Sequence, residues 1–316
     1  MIPVIPADRV LAGSADREIM AGAEGSGFLT LSGVDAALDL APLRDGMLGF
    51  FQADKAVRWS VVRHKYDPSS PHIYRGYFPP EGNGRSLLEG FDIGPDIADP
   101  ARAGDGSDPL TEPTPRPDLP GWAAAAGDYY TRMAGLGDAI TRALFRALGA
   151  DEALAARYFD RTISTLRLFR YPPLDRFDIP AERHLLQEDG TTRYVMAGRH
   201  TDSGFVTLLW QDTTGGLQAE SHVGWIDVPP ADGGLVVNFG QMLEDWSGGR
   251  VRATPHRVLG GLTERFSIPF FYEPAVDAVI EPLVPGRGQP FVYGDFLWER
   301  MVRFPNFRGV TRRPAA

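Results

Sequence analysis

The 316-residue sequence contains no cysteine. Disulfide scaffolds, thiolate zinc sites, iron–sulfur clusters and cysteine nucleophiles are therefore excluded, and any metal must be held by histidine and carboxylate. Basic charge is not in excess either: 32 Lys and Arg face 41 Asp and Glu, a formal net charge of -9. An acidic surface without a basic stripe repels phosphate, which argues against nucleic acid or an anionic membrane as a partner. No run of 18 apolar residues occurs, and the opening Met1-Ile2-Pro3-Val4-Ile5-Pro6 lacks the basic start and apolar stretch of a signal peptide. The expectation is a soluble, cytoplasmic, monomeric protein acting on a small-molecule substrate. Its 43% hydrophobic and 23% charged residues are ordinary for a globular chain with a sizeable core.

Mixed structure is expected at the start, with strands at residues 2–5 and 27–31 and helices at 15–23 and 50–59. Residues 67–121 are crowded with proline and glycine, as in Phe78-Pro79-Pro80-Glu81-Gly82-Asn83-Gly84. Linkers are poor in aromatics, so Tyr74, Tyr77, Phe78 and Phe91 favour an ordered loop wrapped over a site. A long helix is predicted from Trp122 to Leu148, with Tyr130, Met133, Leu136, Ile140 and Leu144 at helical spacing and Gly149 as its stop. A short helix follows at 151–158.

Beyond residue 160 the texture changes to short strands, at 162–171, 205–210, 216–220, 225–228, 234–239 and 265–272, several separated by glycine turns. That spacing predicts a mainly β protein with flanking helices (α+β) built on a jelly roll, or double-stranded β-helix. The expected organisation is one compact unit. Residues 1–160 form a mixed N-terminal region, 161–275 the core, and 276–316 a segment covering the site.

The chain has 6 histidines, and one stands in His200-Thr201-Asp202. Residues i and i+2 of a strand share a face, so imidazole and carboxylate can converge on one cation. Roughly 0.4 such pairs are expected by chance in a chain of this composition, so the pair alone decides nothing. Three further features do. His256, 54 positions after Asp202, offers a third ligand from a distant strand. Two imidazoles and one carboxylate on one face are the facial triad of non-haem Fe(II) oxygenases. Arg265-Phe266-Ser267 repeats the same geometry with a guanidinium and a hydroxyl, a clamp for a carboxylate. The surrounding strands offer an apolar lining from Phe205, Trp210, Phe239 and Phe270.

In order and spacing these parts resemble the isopenicillin N synthase-like family of 2-oxoglutarate, Fe(II)-dependent oxygenases. The resemblance runs through His200-Thr201-Asp202-Ser203-Gly204-Phe205-Val206-Thr207-Leu208-Leu209, Gly216-Leu217-Gln218, Trp225-Ile226-Asp227-Val228-Pro229, Val237-Asn238-Phe239-Gly240, His256-Arg257-Val258 and Arg265-Phe266-Ser267. Outside the core it takes in Ile2-Pro3-Val4-Ile5, Gly27-Phe28, Arg75-Gly76-Tyr77, Gly90-Phe91-Asp92-Ile93-Gly94 and Tyr293-Gly294-Asp295. It implies that His200, Asp202 and His256 ligate Fe(II), and that Arg265 and Ser267 bind the distal carboxylate of 2-oxoglutarate. It also implies that Tyr171 adds a contact to this cosubstrate, and that O2 is consumed with release of succinate and CO2. Arg75 falls where a substrate carboxylate is held in isopenicillin N synthase, and Phe205 is the candidate apolar substrate contact.

Two positions depart from the family pattern. Phe169 stands where many relatives have asparagine, and Gln241 where a carboxylate is usual. Four readings compete with a 2-oxoglutarate-dependent hydroxylase. They are an oxidase that does not consume 2-oxoglutarate, a zinc hydrolase using the same ligands, a non-catalytic jelly-roll binding protein, and an AlkB-like nucleic-acid demethylase, which the net charge disfavours. The other histidines, His64, His72, His184 and His222, lack partners at a recognisable spacing and read as surface or packing residues.

Overall fold

The computed structural model describes residues 2–67, 69–80, 86–187, 190–283, 289–303, 307, 310 and 312. Runs of β-branched and aromatic residues form strands β1 (Val4–Pro6), β2 (Phe28–Ser32), β3 (Gly76–Phe78), β4 (Glu89–Ile93) and β5 (Thr165–Tyr171). After these come β6 (His184–Leu186), β7 (Thr192–His200), β8 (Val206–Gln211) and β9 (Leu217–Ser221). The last core strands are β10 (Gly224–Asp227), β11 (Leu235–Phe239), β12 (His256–Gly260) and β13 (Arg265–Tyr272). The major sheet has the order β1-β2-β11-β8-β13-β5-β4-β3, and the minor sheet β10-β9-β12-β7-β6. Pairing is antiparallel apart from β1 with β2. This is the expected jelly roll. Strands from residues 1–160 extend the major sheet at both ends.

Side-chain parity splits the major sheet into two faces. Leu166 and Leu168 of β5, Val206 and Leu208 of β8, and Ile268, Phe270 and Tyr272 of β13 join the main core with the helices. The long helix Trp122–Leu148 covers that face, burying Tyr130, Met133, Leu136, Ile140 and Leu144 at the spacing read from the sequence. Full burial of each such side chain contributes about 1.5–3 kcal/mol. Close approach is enforced at Gly137, where a Cβ would stand 2.6 Å from the Tyr272 ring. The helix ends at Gly149, φ 73°, whose N–H donates to the Arg146 carbonyl while that of Ala150 reaches Phe145.

Residues 67–121 form ordered structure where they are described: β3 pairs with β4, and 3₁₀ turns occupy Pro95–Ile97, Pro100–Arg102 and Pro109–Thr111. The stretch 81–84 lies outside the described residues. The single helix expected at 50–59 is instead a 3₁₀ turn, Gly49–Gln52, and a short helix, Lys55–Trp59, separated where Ala53 and Asp54 adopt extended ψ values of 158° and 146°. Among the described residues, no helix is long and apolar enough to cross a membrane.

Candidate metal centre and cosubstrate pocket

His200 is the last residue of β7 and His256 the first of β12, and the two are register partners across the antiparallel pair. Their ring centroids are 4.3 Å apart. Asp202 lies just past the end of β7 rather than on it, yet its Oδ1 turns back to within 4.0 Å of His200 Nε2 and 3.6 Å of His256 Nε2. One ligand atom from each of the three residues lies within 4.8 Å of the others.

The remaining polar atoms of these side chains are committed elsewhere. His200 Nδ1 sits 2.7 Å from the Gly198 carbonyl, and His256 Nδ1 3.1 Å from that of Thr254. Each carbonyl fixes the tautomer that directs Nε2 toward Asp202. Asp202 Oδ2 accepts from Thr207 Oγ1 at 2.6 Å and Asn238 Nδ2 at 2.7 Å. The donor set is thus two Nε2 atoms and one carboxylate oxygen, preset on one side, and it fits a divalent first-row metal with open positions. Burial and the adjacent His256 push the His200 pKa down, favouring the neutral form a metal needs. Burial opposes ionisation of Asp202, but the two imidazoles and the Thr207 hydrogen bond outweigh it and hold the carboxyl below its usual range. Burial likewise disfavours protonated His256, and the Asp202 carboxylate reverses that, raising its pKa.

The N-terminal segment supports this centre. Phe28, on β2, meets the His256 ring edge-on at 5.8 Å. Thr254 Oγ1 donates to the Ser26 carbonyl at 2.7 Å. Gly27, φ +68°, permits that approach, because a Cβ there would stand 2.3 Å from Thr254 Oγ1.

A cavity of about 530 Å³ opens from the triad and runs between the sheets, with Arg265, Ser267 and Tyr171 in its wall. Arg265 is 1% exposed. Its guanidinium donates to Gly215 O at 2.5 Å, Ser267 Oγ at 3.1 Å and Gln211 Oε1 at 3.2 Å, and lies 4.6 Å over the ring of its register partner Tyr171. All of these partners are neutral, and no carboxylate of the described residues lies within 4 Å. A buried cation left this way costs several kcal/mol unless an anion joins it, so the pocket fits a carboxylate.

Two expected substrate contacts lie outside the cavity wall. Phe205 is 1% exposed and packs against Phe145, Phe159 and Trp246 on the helix side, away from the cavity. Arg75 is fully buried outside the cavity wall. It donates to the carbonyls of Ile93, Leu110 and Ile163 and to Thr165 Oγ1, which makes it a tie between loops. Trp210, Phe239 and Phe270 also belong to the helix-side core.

The cavity face of β5 carries Arg167, Phe169 and Tyr171, and that of β13 continues through Phe271 to Glu273 just beyond the strand. Arg167, Phe271 and Glu273 were not singled out from sequence. Counting in twos from Tyr171 and Arg265 finds all three. Phe169, the first departure from the family pattern, lays an apolar ring on the cavity wall. Gln241, the second, bonds Glu244 and Asp245 of its own helix, Gln241–Trp246, and its backbone N–H donates to Asp202 O at 2.8 Å.

Fold and site together define a jelly roll with a His–Asp–His cluster and a buried arginine in one cavity. The model of the 2OG-Fe(II) oxygenase superfamily matches residues 151–274. Isopenicillin N synthase of Streptomyces clavuligerus is 29% identical over 312 residues, covering 93% of this chain and 91% of the relative. That of Streptomyces jumonjinensis is 31% identical over 299 residues, 89% and 87%. A full-length Neurospora crassa protein in complex with alpha-KG and thymine superposes with a TM-score of 0.78 at 25% identity, covering 96% of both chains. The chain belongs to the isopenicillin N synthase-like family of 2OG-Fe(II) oxygenases, and is accordingly an oxidoreductase.

Proposed function

We propose that the protein is a 2-oxoglutarate- and Fe(II)-dependent dioxygenase that hydroxylates a small organic substrate. The observation that carries this reading is the buried Arg265 guanidinium, which has no anionic partner among the described residues and shares one cavity with the His200–Asp202–His256 cluster. Those three side chains would hold iron. Arg265 and Ser267 would grip the far carboxylate of 2-oxoglutarate, with Tyr171 stacked on the guanidinium. Bound there, iron with 2-oxoglutarate supplies O2 activation, one oxygen atom going to the substrate and the other to succinate as CO2 leaves.

The protein's own part is positioning and exclusion. Thr207 and Asn238 hold one Asp202 oxygen so that the other stays aimed at the imidazoles. Gly198 and Thr254 carbonyls lock the rings. Burial strengthens the grip of Arg265, because a charge-assisted pair is worth more away from bulk water. Nothing in this arrangement requires a side chain to act as acid or base.

Similarity to isopenicillin N synthases favours a second reading, an oxidase that leaves 2-oxoglutarate untouched and uses Arg265 and Ser267 for its substrate's own carboxylate. Succinate release separates the two. Iron-dependent conversion of 2-oxoglutarate to succinate supports the dioxygenase, and oxygen uptake without succinate rejects it.

A further inference from the structure

Asp92 on β4 is fully buried and receives two guanidiniums. Arg63 Nη1 donates to its Oδ2 at 2.8 Å, and Arg167 donates through Nε to Oδ1 and through Nη2 to Oδ2 at 3.2 Å. Two cations therefore share one anion away from bulk water. The Arg63 side chain is 4% exposed, and its Nε has no hydrogen-bond partner. The Arg167 side chain is 16% exposed and lines the cavity; its Nη1 makes no hydrogen bond to any described residue. Its Cζ lies 5.4 Å from the ring centres of both Phe169 and Phe271, which line the same cavity.

Arg167 is four residues from Tyr171 on β5. Two same-face steps place it about 13 Å along the strand from the Arg265 clamp, too far for one carboxylate to reach both. Glu273 is the nearest acidic group on the cavity face of the neighbouring strand. Burial pushes its carboxyl up to about 8, which weakens it as a counter-charge.

We infer that Arg167, held by Asp92 and backed by Arg63, is the site where the substrate's carboxylate docks. The class of substrate is a small amphipathic monocarboxylate whose apolar body lies on Phe169 and Phe271. This rests on the dioxygenase reading only in taking the Arg265 clamp to be filled by 2-oxoglutarate. The role that the family resemblance implies for Arg75 passes to a different arginine, which faces the cavity with a donor to spare.

The test uses full-length protein loaded with Fe(II) and 2-oxoglutarate under anaerobic conditions at pH 7. Phenylacetate, 3-phenylpropanoate and octanoate are each titrated calorimetrically against the matched primary amide, which keeps the shape and removes the charge. At least one acid should bind tenfold or more tighter than its amide. Arg167→Met should erase that preference and Arg167→Lys should retain part of it. Arg63 still pairs with Asp92 in both variants, and thermal unfolding verifies that each is folded. Equal binding of acid and amide across the panel overturns the inference, as does a preference that survives Arg167→Met in full. If the wild type yields no succinate yet keeps an Arg167-dependent preference for acids, the dioxygenase reading fails and the docking site stands.

Discussion

Replacing Glu273 by glutamine should remove a pH dependence of stability that this single group imposes. Glu273 is 6% exposed, and burial raises its carboxyl from 4.5 to about 8 against the opposing influence of Arg75 and Arg167. The groups facing it are Arg75 ahead of β3, Arg167 on β5, Asp202 past β7 and Tyr293 on the helix Tyr293–Met301. Below pH 4.5 both folded and unfolded chains carry the proton, and Glu273 costs nothing. As pH rises toward 8 the unfolded chain releases the proton while the folded chain keeps it, so stability falls across that window and levels off above it. Each pH unit of the window is worth about 1.4 kcal/mol, and between pH 5 and 8 the loss approaches roughly 4 kcal/mol as an upper limit. The assay is urea unfolding of wild type and Glu273→Gln at half-unit steps from pH 4.5 to 8.5, with EDTA present to keep the centre free of metal. The difference between the two stability curves isolates this carboxyl from all other titrating groups. Curves that stay parallel over the whole range would refute the argument, because they would mean Glu273 ionises in the fold as it does in water.

His200→Ala and Asp202→Ala should each lose Fe(II) on desalting and form no succinate; metal content equal to wild type in either rejects the ligand assignment. Thr207→Val should weaken iron binding roughly 10- to 100-fold by freeing the second Asp202 oxygen, read by competition with a metal indicator, and undiminished affinity counts against that role. Arg265→Met should raise the dissociation constant of 2-oxoglutarate roughly 30- to 150-fold, the equivalent of about 2–3 kcal/mol for a lost charge-assisted contact; an unchanged constant removes the clamp. Phe205→Ala should cost about 3–5 kcal/mol of stability while leaving the acid-over-amide preference intact, and a changed preference would return Phe205 to the substrate wall.

Much of the centre was legible because its chemistry is carried by residue type and spacing. His200, Asp202, His256, Arg265 and Ser267 converge on one cavity, and most core strands begin and end within a few residues of the expected limits. Strand β7 was not legible. Only Met196 within it is buried, and Gly198 and Arg199 near its end break the apolar alternation that marks a strand. The cavity wall is not legible from aromatic residue type alone, because strand parity decides which face a ring takes. Phe270 is a residue out of step with Pro269 and Phe271 of the cavity face, and one residue along a strand is the opposite side of the sheet, whereas Phe205 stands just before β8 and packs against Phe145, Phe159 and Trp246. The burial of Arg75 could not be read at all, since three of its four acceptors are backbone carbonyls, which leave no mark in a sequence. Arg167 and Glu273 belong to no recognisable motif, and residue type alone does not tell a charged side chain on a cavity wall from one in solvent.

The two-faced major sheet also separates what selection can alter from what it must keep. Side chains anchoring the protein against the long helix and those meeting a guest molecule alternate along the same strands without sharing neighbours. Exchanges at positions 167, 169 and 271 alter the cavity wall while the packing on the reverse side is left alone. A scaffold wired in this way can diversify its chemistry in small steps, each tolerable on its own, which makes these three positions the natural ones to randomise in a laboratory search for new activities.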